Sequence, residues 1–123
     1  MLLVEDVVPD QIIARKLIEK SGHRVDVAAN GYEAVQAVKS RPDAYDLVFM
    51  DIRMPEMDGL TATREIRKLE AGTRHQPIVA LTANAFDEDV KQCMEAGIDD
   101  FAARPIYKEK IDKILQGYVS LAG

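Results

Sequence analysis

Short apolar runs alternate with amphipathic segments five times along this chain of 123 residues. The apolar runs have the length of strands, and the segments between them repeat apolar residues at helical spacing. Strict alternation of this kind predicts an α/β fold, a doubly wound five-stranded parallel sheet with helices on both faces. The predicted strands are 2–5, 25–28, 47–50, 78–81 and 99–103, and the predicted helices are 9–20, 30–38, 60–70, 87–96 and 107–121.

The predicted helices carry apolar residues that we expect to pack against the sheet. Asn30 followed by Glu33 resembles a capping box, and Asp87 is the predicted cap of the fourth helix. The residues expected to face inward are Ile13, Leu17, Ala14 and Ile18 in the first helix, Leu60, Ile66 and Leu69 in the third, and Ile111, Ile114 and Leu115 in the last.

Composition and charge favour a single globular domain in the cytoplasm. No apolar run approaches the about 20 residues of a membrane span, and no basic-then-apolar signal sequence is present. The net charge of −5 repels nucleic acid and anionic membranes, so we expect no direct contact with either. We expect one domain over 1–123, a monomer or weak homodimer. Because the chain opens directly in its first strand, Met1 is expected to mark a trimmed boundary of a longer protein.

The single cysteine, Cys93, cannot form an internal disulfide and lies in a predicted helix. In a reducing cytosol we expect it to be a small buried apolar residue, and a reactive thiol is the weaker alternative.

Acidic residues follow two of the predicted strands. Asp51 comes directly after the apolar run 47–50, and Glu5 and Asp6 stand at the end of the first strand. The carboxyl edge of a parallel sheet is the usual ligand crevice of such folds. Three carboxylates converging there repel one another unless they are protonated or bridged by a cation, and Mg²⁺ suits such a site. The alternative is that the acids are ordinary solvated residues at strand ends.

Polar residues also follow the fourth and fifth strands. The hydroxyl of Thr82 could hydrogen-bond an oxyanion on Asp51, and the cation of Arg104 could reach the same anion. A local turn hydrogen bond for Thr82 and a solvated surface charge for Arg104 are the alternatives. Together with the acids, these two residues indicate a site that binds an anionic group.

Several motifs resemble those of the receiver domain of two-component response regulators, most of all the receivers of hybrid sensor histidine kinases. The resemblance covers nearly the whole chain, and its specificity lies in the order and spacing of the motifs. They are 3–6 (LVED), 30–34 (NGYEA), 50–59 (MDIRMPEMDG), 81–85 (LTANA) and 96–101 (AGIDDF).

The resemblance implies a flavodoxin-like sheet of strand order 2-1-3-4-5 and a signalling domain that is not an enzyme in the usual sense. By position, Asp51 would accept a phosphoryl group from a phosphohistidine of a histidine kinase or histidine phosphotransfer protein. Mg²⁺ would be held by Glu5, Asp6, Asp51 and the backbone carbonyl of Arg53. Thr82 would contact the phosphoryl oxygens, and Phe101 falls at the aromatic switch position. Carboxylates are known covalent acceptors, and phosphoryl transfer asks a protein mainly for positioning and charge neutralisation.

The sequence departs from the family at Arg104, where the family has a lysine before the proline. Arginine keeps the charge but is longer, planar and prefers bidentate contacts. This departure favours a second hypothesis, a pseudo-receiver that binds other proteins without using phosphate. Val7 is a smaller departure, at a frequently polar position.

Two further alternatives are weaker. A phosphatase of the haloacid dehalogenase type needs a second Asp two residues after the nucleophile, where this chain has Arg53. A flavodoxin-like flavin carrier needs a phosphate-cradling loop of Ser, Thr and Gly after the first strand, and the chain has none there.

Overall fold

Five parallel strands form one sheet in the order β2-β1-β3-β4-β5. The computed structural model describes residues 1–41, 45–52, 54, 57–72, 75–82, 87–103 and 106–118, with 87–90 described by their backbone alone. The elements are β1 Leu2–Val4, α1 Val8–Lys20, β2 Asp26–Ala28, α2 Gly31–Ser40, β3 Val48–Asp51, α3 Gly59–Glu70, β4 Ile78–Thr82, α4 Asp87–Ala96, β5 Asp100–Ala103 and α5 Lys108–Tyr118.

The sheet buries apolar side chains on both of its faces, because successive strand residues point to opposite sides. The predicted α/β class, strand order and two-sided helical cover are confirmed. One core places strand residues such as Val4 and Met50 against α2, α3 and α4, and the other places Leu3 and Phe49 against α1 and α5. Cys93 is buried in the first core, as expected.

The helix starts follow local sequence signals. The Asn30 side chain accepts a hydrogen bond from the Glu33 amide at 2.9 Å, and Asp58 accepts one from Thr61 at 2.8 Å. Each bond satisfies an amide that the first helical turn leaves without a partner. Asp87 is the first residue of α4 rather than its predicted cap. The predicted end of the last helix, 119–121, lies outside the described residues.

Two residues expected to be buried are exposed. Ile13 is 57% exposed and Leu69 is 45% exposed. In α1 the buried residues are Ala14 and Ile18, one turn apart, so Ile13 lies about 100° away around the helix and leaves the sheet. The stripe predicted for α5, formed by Ile111, Ile114 and Leu115, is buried as expected.

Arg67 ties α3 to the amino ends of β4 and β5. Its guanidinium donates to the carbonyl oxygens of Gly97, at 2.6 and 3.0 Å, and Gln76, at 2.8 Å. It also pairs with the carboxylates of Glu70 at 2.8 Å and Asp99 at 3.0 Å. This cluster lies at the edge of the sheet opposite the strand ends that carry Asp51 and Thr82.

The edge strands are short, and each begins with an acidic residue. β2 has three residues and starts at Asp26, and β5 has four and starts at Asp100. The described helices include none that is long and apolar enough to cross a membrane.

Candidate functional site

Three carboxylates meet at the carboxyl edge of β1 and β3. Val4 lies beside Met50 in the parallel register, so Glu5 and Asp51, the next residues along the two strands, lie at the same edge of the sheet. Each of Glu5, Asp6 and Asp51 offers a carboxylate oxygen, and these three oxygens lie within 4.8 Å of one another. The convergence follows directly from the parallel pairing of the two strands.

The cluster is mostly buried. Asp51 is 4% exposed and Glu5 is 1% exposed, whereas Asp6 lies nearer the solvent. Placing carboxylates so close together in a desolvated position is costly without compensating positive charge. Mg²⁺ prefers hard oxygen ligands, often one or two carboxylates that leave positions for water or phosphate. The donor set, its compactness and its partial opening to solvent therefore fit this ion.

The start of α3 is held close to the end of β3. The Gly59 amide donates to the Ile52 carbonyl at 2.9 Å, and the Ile52 amide donates to the Leu81 carbonyl at 3.3 Å. A Cβ atom at position 59 would collide with the backbone carbonyl of Asp51. Glycine therefore allows α3 to begin directly against the end of β3.

Thr82 ends β4 on the same edge. Leu81 lies beside Asp51 in the register, so Thr82 is one residue beyond the level of Asp51 on the neighbouring strand. Thr82 is 9% exposed. The structure therefore brings Thr82 to the rim of the acidic cluster.

Phe101 lies within β5, beside Ala80 of β4. It is partly buried and packs against the core that contains α2, α3 and α4. One strand, β4, separates Phe101 from Asp51 of β3. The Phe101 side chain contacts this core and is partly exposed to solvent.

Two predicted site residues, Arg53 and Arg104, lie outside the described residues. The residues before them, Ile52 and Ala103, are described, and Ala103 lies beside Thr82. The roles implied for Arg53 and Arg104 therefore remain predictions from the sequence.

Sequence reasoning missed an exposed apolar surface at the start of α1. Val7, Val8, Ile12 and Ile13 are all exposed, and Val7 directly follows Glu5 and Asp6. Two signals in the sequence were available. Val7 is apolar at a frequently polar position, and the adjacent Ile12 and Ile13 supply more apolar residues than one buried helix face requires. We call these four residues the α1 surface.

Comparison with known proteins supports one family. The sequence profile described as the response regulator receiver domain matches residues 1–116. Hybrid signal transduction histidine kinase B of Dictyostelium discoideum is 46% identical over 86% of this chain, which spans 6% of that kinase. Histidine kinase 5 of Arabidopsis thaliana is 36% identical over 97% of this chain, which spans 15% of it. The two-component response regulator ORR41 of Oryza sativa subsp. japonica is 44% identical over 94% of this chain and 90% of its own length.

Solved structures have the same fold. One is the receiver domain of a sensor histidine kinase from Pseudomonas aeruginosa PAO1, which has a magnesium ion coordinated in its active site cleft. It is 41% identical, with a TM-score of 0.85, and the match covers 95% of this chain and 93% of that one. A second structure is the receiver domain of Ssk1 from Saccharomyces cerevisiae, co-crystallised with the histidine phosphotransfer protein Ypd1. It is 29% identical, with a TM-score of 0.85, and the match covers 95% of this chain and 86% of that one. The sequence profile, the relatives and the fold all point to the same family, and the acidic cluster lies where a magnesium site would be expected in it. The chain belongs to the response regulator receiver domains, the phosphoacceptor domains of two-component signalling.

Proposed function

We propose that this domain accepts a phosphoryl group on Asp51 from a phosphohistidine, in a Mg²⁺-dependent reaction, and relays the signal by a conformational change. The observation that carries the proposal is the meeting of three carboxylate oxygens within 4.8 Å at the end of β3. Such chemistry makes the chain a phosphoacceptor, with at most self-catalysed phosphoryl transfer and autodephosphorylation. We place it in the cytoplasm, as a single domain over 1–123 and a monomer or weak homodimer.

In the proposed reaction a carboxylate oxygen of Asp51 forms a bond to phosphorus while the bond from phosphorus to the donor imidazole breaks. The product is an acyl phosphate on a short, buried strand, which limits the freedom of the acceptor carboxylate. A bound Mg²⁺, held by Glu5, Asp6, Asp51 and the Arg53 carbonyl, would neutralise charge on the transferred group.

The remaining residues would act on the phosphoryl oxygens and on the signal. Thr82 is on the neighbouring strand, one residue beyond the level of Asp51, and its hydroxyl would donate to the phosphoryl oxygens. Arg104 would add a cation from the end of β5, and Phe101 would pass the change to the surface. These roles come from the family resemblance and from the register of the three strands.

The donor would be a histidine kinase or a histidine phosphotransfer protein. A macromolecular donor has to bring its imidazole to the rim of the acidic cluster, so its docking surface must adjoin Glu5 and Asp6. The α1 surface meets this requirement, because it begins at the residue after Asp6 and is exposed and apolar. The likeness to a receiver co-crystallised with a phosphotransfer protein supports the same partner class.

The test is intact-mass measurement after incubation with Mg²⁺ and acetyl phosphate. We expect the parent chain to gain the mass of one phosphoryl group, and the gain to be absent in chelator and in Asp51→Asn. Asp6→Ala should also fail, because it removes one of the three oxygens of the cluster, whereas Asp10→Ala, in the first turn of α1, is the matched acidic control. A parent chain that gains no mass would favour the pseudo-receiver that Arg104 suggests, and labelling of Asp51→Asn would overturn the acceptor assignment.

A further inference from the structure

Lys110 of α5 is bonded to the last residue of β5. Its ammonium donates a hydrogen bond to the carbonyl oxygen of Ala103 at 2.9 Å, reaching back seven residues along the chain. Ala103 ends the strand, and Arg104 is the next residue in the sequence. Lys110 therefore holds the peptide from which the chain continues into the predicted cation of the site.

The surroundings of Lys110 differ from those of an ordinary surface lysine. Its neighbour Lys108 pairs with the Asp112 carboxylate at 2.8 Å, one helical turn away. Within the described part of the chain, Lys110 makes no such pair, and its other contact is the Tyr107 ring, 5.9 Å from the ammonium to the ring centroid. The positive charge is thus directed at the strand end rather than at an acid.

The end of β5 lies close enough to the acidic cluster for its orientation to matter. Ala102 lies beside Leu81, which lies beside Asp51. Strands in a sheet are about 4.8 Å apart, so the β5 backbone is about 10 Å from β3.

We propose that Lys110 is a positioning residue for phosphoryl transfer, which fixes the Ala103 carbonyl and thereby holds the end of β5, from which the chain continues to Arg104. This inference rests on the proposed function and deepens it. It assigns Lys110 no contact with the phosphoryl group.

The test compares rates of Mg²⁺-dependent phosphorylation by acetyl phosphate in matched variants. Lys110→Met removes the donor and keeps most of the apolar stem, Lys110→Arg restores a donor, and Lys113→Met is the control, an exposed lysine on the same helix. We expect Lys110→Met to slow labelling about tenfold. This is less than the ~100-fold that a misplacement of about 1 Å can cost, because the strand itself stays in place. Lys110→Arg should recover most of the rate, and Lys113→Met should match the parent. The affinity for Mg²⁺ should stay unchanged in all three, because none alters the acidic cluster.

A double-mutant cycle separates positioning from general stability. In an Arg104→Ala background, Lys110→Met should have little further effect, because its action passes through Arg104. The inference is overturned if Lys110→Met is labelled at the parent rate, if Lys113→Met slows labelling equally, or if Lys110→Met has its full effect without Arg104. An unlabelled parent chain would overturn the proposed function and this inference together, whereas a labelled parent with an indifferent Lys110 would overturn this inference alone.

Discussion

At the scale of single residues, the carboxylates of the acidic cluster determine what the carboxyl edge of the sheet can bind. Glu5, Asp6 and Asp51 could be expected to converge because parallel strands open onto one edge, and the structure brings them together. Ile13 shows the limit of the same reasoning. Helical periodicity places Ile13 one turn from Leu17, but Ile12 and Ile13 are both exposed. The buried side of α1 is formed by Ala14 and Ile18, and the sequence pattern alone does not single out these two among the apolar residues of the helix.

Arg104→Lys tests the residue at which the chain departs from its family. We expect the extent of Mg²⁺-dependent labelling to be similar, because both side chains supply the positive charge. We also expect a larger phosphorylation-dependent change in amide hydrogen exchange across 84–106, because a compact ammonium can follow a small loop shift that a planar guanidinium resists. Mass-spectrometric exchange with and without labelling measures it. A parent chain that already shows the full change would contradict this account, as would labelling confined to the lysine variant.

Gly59→Ala tests the close approach of α3 to the end of β3. The added methyl group would collide with the backbone of Asp51 and Ile52, which cannot move aside as a flexible side chain can. Overpacking typically costs about 1–3 kcal/mol, and we expect a loss in the upper part of that range in the free energy of unfolding.

Gly117→Ala in α5 is the matched control, because open space surrounds position 117. Alanine is the better helix former by about 0.5–1 kcal/mol, so this variant should be as stable as the parent or more so. Urea denaturation of the two variants measures both effects. Equal stabilities would show that the loop after β3 can move away from Asp51 at little cost.

At the scale of elements, sequence patterns predicted the identity of the helices and strands and left their mutual contacts open. The bonds of Arg67 to Gly97 and Asp99 join residues about 30 positions apart in sequence. No local pattern tells which arginine of α3 reaches the amino end of β5. Propensity and periodicity describe one helix or strand at a time, whereas these bonds depend on how α3, α4 and β5 pack together.

Ile13→Glu tests the α1 surface as the docking site of the donor. We expect the rate of transfer from a phosphorylated histidine phosphotransfer protein to fall about tenfold, since about 1.4 kcal/mol of lost interface energy has that effect. The rate with acetyl phosphate should be unchanged, because the small donor needs no docking. Leu69→Glu, at an exposed leucine of α3, is the control and should affect neither rate. Equal losses with both donors would indicate damage to the site, and no loss with either would exclude this part of α1 from the interface.

At the scale of the whole molecule, one polar bridge joins the first and last helices. The Asp112 carboxylate accepts hydrogen bonds from Lys108 at 2.8 Å and from Ser21, at the end of α1, at 2.6 Å. The hydrogen bond from Lys108, and to a smaller extent the one from Ser21, lowers the pKa of Asp112. The alternation of elements could not reveal this bridge, because its partners lie 91 residues apart.

The lowered pKa of Asp112 predicts a dependence of stability on acidity. A carboxyl group whose pKa is lower in the folded chain stabilises the fold above its unfolded pKa of about 3.9 and loses that contribution as the pH falls toward the folded value. We therefore expect the parent chain to lose stability between about pH 4 and its acid unfolding more steeply than Asp112→Asn. Urea denaturation at several acidic pH values measures the two slopes. Parallel slopes would mean that the bridge contributes nothing in solution.

The two short edge strands bear on where such a domain can be used. An exposed strand edge is a template for pairing with other chains, and short edges that carry charge resist it. β2 and β5 have three and four residues, and each begins with an aspartate, so the sheet presents little edge to a neighbouring copy. In relatives of which the homologous region makes up only 6% or 15% of the length, such a sheet is part of a much longer chain. Edges of this kind let the domain be joined to unrelated neighbours, at high local concentration, without its sheet growing into theirs.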